Sequence, residues 1–166
     1  LEERDFPFDT LKVLASSRSK GKKITFKGKE YTVEVLTKDS FAGVDIALFS
    51  AGGSRSKEFA PAAAKAGAVV VDNSSAFRMD PTAPLVIPEI NPEKIKEHKG
   101  IIANPNCSTI IGIMPVWPLH QVNPVKRMVV STYQAASGAG AAGMAELGAQ
   151  SREILDGKKP SCNVFP

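Results

Sequence analysis

One stretch concentrates the chemistry of this chain: Ile101-Ile102-Ala103-Asn104-Pro105-Asn106-Cys107-Ser108-Thr109-Ile110-Ile111. An apolar run ends at an Asn-Pro turn, a thiol follows, and Ser-Thr with further aliphatic residues reads as the opening of a helix. A cysteine at or just before a helix N-terminus meets backbone N–H groups and the positive end of the helix dipole, both of which favour negative charge. The thiolate is the form of cysteine that attacks carbonyl and acyl carbons. The competing reading is a small buried apolar residue, because unpaired cysteine is among the most buried residue types. Spacing alone leaves both open.

The elements that must position this thiol come from a chain of 166 residues, 43% hydrophobic, with a net charge of +4 and a mean hydropathy of −0.08. That is the profile of a soluble globular chain with material for one domain or parts of two. Basic residues are scattered among acids apart from clusters at 20–29 and 94–99, which read as solvated surface and not as a nucleic-acid groove. The longest apolar runs, such as 66–71, are far too short to span a bilayer. Two cysteines, Cys107 and Cys162, argue against a disulfide framework and for a reducing compartment. The singly scattered His and Cys residues offer no metal-ligand spacing. The chain opens on Leu1 and stops in a segment that reads as extended, so both ends read as cut and a piece of a longer protein is expected.

Strand and helix signals alternate, the pattern of βαβ units and a mostly parallel sheet. Buried strands are expected at 11–15, 44–50, 68–71 and 101–103, a short one at 85–87, a hairpin of 24–26 with 31–36 around Gly28, and a further strand at 128–133. Helices are expected at 56–66 despite Pro61, at 92–98 with Pro92 in the first turn, and at 141–155 with Gly157 as its stop. The helix after Cys107 is expected to end or kink near Met114, since Pro115 and Pro118 follow. Residues 1–8 read as the end of a helix. Three of the strands run into polar or glycine-rich loops, at 16–19, 51–54 and 73–75. Ligands of open α/β sheets bind outside the carboxyl ends of the strands, where small residues let a nucleotide approach the backbone. Ordinary loop chemistry favours the same residues, but three such loops in series are more than one.

Gly138-Ala139-Gly140-Ala141-Ala142-Gly143 matches the G-x-G-x-x-G dinucleotide pattern. The acid expected about 20 residues further on is missing, and the preceding residues 132–137 are too polar for a buried first strand. A glycine-rich turn that lets a cofactor or substrate lie close to backbone is the better reading.

Taken together, Leu14–Ser19, Gly43–Gly53, Val70–Arg78, Asn104–Thr109 and Ser131–Gly140 resemble the aspartate-semialdehyde dehydrogenases, in the family's order and over nearly the whole chain. The wording is most similar to plant or algal members. The resemblance implies an α/β fold: an incomplete doubly wound Rossmann-type NADP-binding domain over residues 1–106, then the start of an α+β catalytic and dimerisation domain over 107–166. It implies reductive dephosphorylation of β-aspartyl phosphate to aspartate semialdehyde through a cysteine thioester, in lysine, threonine and methionine biosynthesis. Cys107 resembles the nucleophile and Gln134 the residue that orients the substrate at the thiol. Arg78 resembles the phosphate-binding arginine, with Asn106 beside it. Ser17, Arg18 and Ser19 resemble contacts to the NADP 2′-phosphate, where NAD enzymes hold an acid instead. Ala51 and Gly52, with Ser137 and Gly138 near the nicotinamide, resemble further cofactor contacts. The charge developing on the thioester oxygen needs donors, and the first N–H groups of the helix after Asn106 are expected to supply them.

The resemblance also implies what lies outside these residues: a glycine-rich phosphate loop before Leu1, and a catalytic histidine, a carboxylate-binding arginine and a phosphate-binding lysine beyond Pro166. His98 reads as part of a solvated charged face and His120 as part of a turn, so neither substitutes. Cys162 reads as buried or inert. These 166 residues alone are therefore expected to be inactive and to bind NADP weakly. A homodimer or homotetramer is implied, without nucleic acid or membrane, in the cytoplasm or in the plastid stroma of a plant or alga. A related acyl-phosphate reductase, such as N-acetyl-γ-glutamyl-phosphate reductase, shares the thioester chemistry; Ser108-Thr109 and the Tyr133–Gly138 segment favour the aspartyl enzyme. A nucleotide-binding module without chemistry would carry an unreactive Cys107.

Overall fold

The computed structural model describes residues 1–165, and the chain divides into two compact units, Leu1–Pro124 and Val125–Pro166. In the first unit, β1 (Leu14–Ala15) leads into an antiparallel hairpin of β2 (Lys23–Phe26) and β3 (Lys29–Thr32), after which β4 (Glu34–Val35) returns to pair in parallel with β1. The hairpin turns on Lys27 and Gly28, both at positive φ, the two-residue geometry whose twist matches the flanking strands. Then come β5 (Ile46–Phe49), helix α1 (Gly53–Lys65), β6 (Val69–Asp72) and β7 (Ile101–Ala103). These three strands are parallel, in the order β5-β6-β7. The α/β class and the Rossmann-like parallel arrangement expected from the sequence are present.

Local chemistry explains the elements. The runs Ile-Ala-Leu-Phe and Val-Val-Val suit a pleated, packed surface. In α1, Pro61 removes the bond to the carbonyl of Lys57, an exposed residue, so water can satisfy that group, and the surrounding alanines favour helix. Gly67, at φ 99°, ends the helix in the left-handed conformation that glycine adopts without strain. Ser56, Ala60 and Ala63, spaced to share one helical face, are fully buried against the sheet. Ala60 and Ala63 pack in one core with Phe41, Phe49, Val70 and Ala103, and the Phe41 and Phe49 rings stack at 5.9 Å. β5 is not buried on both faces as expected: Ala47 and Phe49 face the core, while Ile46 and Leu48 are 51% and 57% exposed. Strand side chains alternate between faces, and α1 covers only one.

Several expectations are corrected. Residues 1–6 form a turn with Asp5 at φ 44°, not a helix end. The strand at 85–87 reduces to a single bridge of Leu85 to Ala103, because the flanking Pro84 and Pro88 have no N–H to give a ladder. The segment 92–98 is a 3-10 helix, Pro92–Glu97. After Cys107 the helix does not stop at Met114: α2 runs Cys107–Val122 through both prolines. Each proline removes one bond to the carbonyl four residues back, and Ile111, the first of those residues, is exposed to water. In the second unit, 128–133 is not a strand, since β-branched propensity supplies no hydrogen-bond partner and no described residue pairs with it. That unit consists of a 3-10 turn, Ala136–Ala139, and helix α3 (Gly140–Leu155), followed by Gly157 at φ 70°.

Gly100 sets the closeness of β7 to α1. It sits at φ 101°, and a Cβ there would lie 2.7 Å from the Ala64 Cβ. Gly67 shares the positive φ, but its Cβ would meet nothing. Gly67→Ala should therefore cost about 1 kcal/mol of backbone strain, and Gly100→Ala about 2–3 kcal/mol, strain plus overpacking. Urea denaturation followed by far-UV circular dichroism would show the larger drop in midpoint for Gly100→Ala.

Candidate active site

The carboxyl ends of β5, β6 and β7 meet in a hydrogen-bonded framework that starts from a buried acid. Asp72, the last residue of β6, is fully buried. Its Oδ1 accepts from Ser56 Oγ at 2.7 Å and from the Ser74 N–H at 3.1 Å, and its Oδ2 accepts from Ser74 Oγ at 2.8 Å. Ser74 Oγ in turn accepts the Ala76 N–H at 3.1 Å. One carboxylate thus ties the first turn of α1 to the loop after β6. The resemblance ran through Asp72 without giving it a role; the signal was an acid at the end of an otherwise apolar strand, followed by serines.

A second set of bonds joins that loop to the one after β7. The Asn104 N–H donates to the Asp72 carbonyl at 2.8 Å, and Asn104 Nδ2 donates to Asn73 Oδ1 at 2.6 Å. Arg78 is half-buried; its Nε donates to the Asn104 carbonyl at 2.9 Å and its Nη2 to the Asn73 carbonyl at 3.2 Å. Two edges of its fork are therefore spent on backbone, which fixes the guanidinium at the strand ends.

Asn106, at φ −60° and ψ 140°, is the N-cap of α2, and its Oδ1 accepts from the Ser108 and Thr109 N–H groups at 3.0 and 3.2 Å. Asn is among the strongest N-cap residues. Cys107 is then the first residue of the helix, and it is exposed, which removes the reading of it as buried core. The cap also corrects the expected oxyanion donors: the N–H groups of Ser108 and Thr109 are already given to Asn106.

The other expected residues fall into two groups. Ser17, Arg18 and Ser19 form a 3-10 turn directly after β1. Arg18 is exposed and makes no hydrogen bond or ion pair among the described residues. Ala51 and Gly52 link β5 to α1; Gly52 is the N-cap at φ 89°, with open space where a Cβ would be. These loops lie at carboxyl ends of parallel strands and leave the backbone approachable, as a dinucleotide site requires. Gln134, Ser137 and Gly138 belong to the second unit. There Gly138 lies directly under the Gln134 side chain, in space that a Cβ would claim. The three glycines of the G-x-G-x-x-G match have local reasons: Gly138 for this contact, Gly140 for its φ of 79°, and Gly143 for a close approach to Ala139 and the Ala136 carbonyl. No strand precedes them, so the dinucleotide reading of that match lacks its structural context.

His98 is half-buried, not part of a solvated face, and its Nδ1 accepts the Gly100 N–H at 2.9 Å. His120 is on α2, not in a turn, and stacks on Trp117 at 5.8 Å. It lies about 20 Å along the helix axis from Cys107 at 1.5 Å per residue. Cys162 is exposed, not buried; Gln150 Nε2 lies 3.6 Å from its sulfur. Sequence reasoning also missed Glu146, whose carboxylate accepts three backbone N–H groups from 163–165. Among the described residues no cluster of His, Cys, Asp or Glu could hold a metal, and no helix is long and apolar enough to cross a membrane.

Residues 1–98 match the family model described as semialdehyde dehydrogenase, NAD binding domain, which covers more than half of the chain. The chain belongs to the semialdehyde dehydrogenase family. Residues 116–166 match the dimerisation domain of the same family. An aspartate-semialdehyde dehydrogenase of Aquifex aeolicus is 59% identical over 100% of this chain and 50% of its own length. The crystal structure of aspartate semialdehyde dehydrogenase II from Vibrio cholerae, complexed with ASA, superposes with a TM-score of 0.86 at 48% identity, covering 99% of this chain and 49% of that one. The Candida albicans enzyme with NADP superposes with a TM-score of 0.59 at 26% identity, over 71% of this chain and 41% of that one. The chain spans about half the length of the curated relatives it matches.

Asp72 makes a quantitative test of the framework. Asp72→Ala leaves the Ser56 and Ser74 donors buried without an acceptor and should cost about 3 kcal/mol. Ser75→Ala, at an exposed position of the same loop, should stay within about 0.5 kcal/mol of the parent. Chemical denaturation of both variants measures the difference.

Proposed function

We propose that this chain carries the nucleophile of an aspartate-semialdehyde dehydrogenase, which converts β-aspartyl phosphate to aspartate semialdehyde and phosphate. The observation that carries this reading is an exposed Cys107 at the first position of α2, just past the end of a parallel strand, in a chain 59% identical to an enzyme of that name. The Cys107 thiolate attacks the acyl carbon; the carbon–oxygen bond to phosphate breaks, phosphate leaves, and a thioester remains on the sulfur. NADPH, when bound, supplies the hydride that reduces this thioester carbon. The carbon–sulfur bond then breaks as the carbonyl re-forms, returning the electron pair to Cys107 and freeing the aldehyde.

The other roles follow the chemistry of each side chain. Gln134 offers a donor and an acceptor without charge and orients the acyl group at the thiol. Arg78, already pinned by two backbone carbonyls, holds phosphate with the remainder of its fork, which suits a tetrahedral anion. Asn106 contributes its Nδ2 beside it. The Ser17–Ser19 turn receives the NADP 2′-phosphate through the exposed Arg18, the backbone at Ala51 and Gly52 admits the dinucleotide, and Ser137 and Gly138 contact it near the nicotinamide. The division of labour falls at residue 107: residues 1–106 bind NADP, and 107–166 begin the catalytic and dimerisation part. The enzyme acts as a homodimer or homotetramer in lysine, threonine and methionine biosynthesis. It works in the cytoplasm, or in the plastid stroma if its source is a plant or alga.

In the full-length enzyme, Cys107→Ala should lower turnover at least about a thousandfold, since alanine offers no nucleophile at that position to form the thioester. NADPH oxidation in the presence of β-aspartyl phosphate reads this directly, and near-normal turnover would overturn the assignment. Arg18→Ala should raise the KM for NADPH about tenfold while leaving that for NADH within about twofold, because only the 2′-phosphate distinguishes the two. Steady-state kinetics with both cofactors would show it.

A further inference from the structure

Glu146 is the buried acid of α3, and it is 9% exposed. No step of the proposed reaction uses it. Its Oε1 accepts the N–H groups of Asn163 and Phe165, both at 3.0 Å, and its Oε2 accepts that of Val164 at 2.7 Å. Gln150, one turn on, donates through Nε2 to Glu146 Oε1 at 3.1 Å and to the Ser161 carbonyl at 2.8 Å. Glu153 accepts the Ser161 N–H at 2.8 Å. Positions 146, 150 and 153 share one face of the helix, and together they bind the returning segment 161–165 along it. Three consecutive amides aimed at one carboxylate hold that carboxyl below its ordinary range, with the Phe165 N–H the largest cause.

The clamp reaches the proposed chemistry through a glycine. A Cβ at Gly143 would lie 3.0 Å from Phe165 Cζ, 2.8 Å from the Ala139 Cβ and 3.1 Å from the Ala136 carbonyl oxygen. Phe165 and the 136–139 turn therefore press on the same glycine. That turn carries Ser137 and Gly138, and Gly138 forms the floor under Gln134. We propose that Glu146 is a positioning residue: by clamping 163–165 it seats Phe165 on Gly143 and so sets the 136–139 turn that carries the cofactor contacts and supports Gln134. The proposal rests on the functional reading above, because only that reading gives Gln134 and the turn a task.

The test uses the full-length enzyme and a double-mutant cycle of Glu146→Gln with Gln134→Ala. Glu146→Gln keeps the shape but points an amide NH2 at backbone donors. With far-UV circular dichroism unchanged, kcat should fall about tenfold and the KM for NADPH should rise about threefold. Labelling of Cys107 by iodoacetamide at pH 7, resolved from the exposed Cys162 by peptide mass spectrometry, should stay within about twofold. In the Gln134→Ala background, Glu146→Gln should lower kcat by less than about twofold more, since it acts through Gln134. A folded Glu146→Gln enzyme with normal kcat, or losses that multiply in the double variant, would overturn the proposal. If Glu146→Gln does not fold, Gly143→Ala decides by the same cycle: it presses on the same junction with the carboxylate intact, and it should reproduce the non-additive loss or refute the link. An inactive wild type, or an active Cys107→Ala, would sink the functional reading instead. An active wild type and an inactive Cys107→Ala, with an unaffected Glu146→Gln, would sink this proposal alone.

Discussion

A carboxylate buried at the end of the middle strand of the parallel sheet, with only neutral donors around it, holds the functional end of the first unit together. Asp72 is shielded from water, so its charge is tolerable only with its oxygens hydrogen-bonded. The donors are Ser56 on α1 and Ser74 on the following loop. That requirement fixes the loop against the helix, and the loop then presents Asn73 to Asn104 and to Arg78. The turn into α2 inherits its position from the same chain of bonds, because Asn104 is tied to Asp72 and Asn73 three residues before the thiol. Cys107 is presented by a framework of hydrogen bonds more than by apolar packing.

The second unit uses the same device with a different donor set. Glu146 satisfies three backbone amides that no helix or strand would otherwise engage. In both units a carboxylate organises irregular backbone, the loop after β6 in one and residues 163–165 in the other. Such segments belong to no helix or ladder, so their order comes from hydrogen bonds to side chains and from glycines that allow close approach. The contacts at Gly100, Gly138 and Gly143 show how short those approaches are.

The parallel strands β5, β6 and β7, the hairpin turn at Gly28, α1 and α3 were legible because their signals are local: apolar runs, alternation, a glycine stop; the arm expected at 31–36 instead divides into β3 and β4, and β4 pairs with β1. The expectations that failed depended on partners or solvent. Residues 128–133 have strand propensity without a ladder partner, and 84–88 lose their ladder to two prolines. α2 runs through Pro115 and Pro118 where the local rule predicts an end. Arg78 and Asn106 were legible as candidates, but not the carbonyls that hold the one or the cap that occupies the other. Asp72 and Glu146 were invisible as organisers, because an acid in a sequence looks the same whether it meets water or three amide donors.

By itself, then, the order of residues determined the α/β class, the parallel strand pattern, the family resemblance and a cysteine at a helix start. These depend on short-range periodicity and on motif wording, which survive without a folded frame. Only the tertiary structure decided that Cys107 is exposed and that the N–H groups of Ser108 and Thr109, among those expected to serve an oxyanion, are taken by Asn106. It alone decided that a buried acid gathers irregular backbone in each unit. Burial and hydrogen-bond partnership join residues distant in the chain, and no local pattern encodes which donors will converge on a given carboxylate.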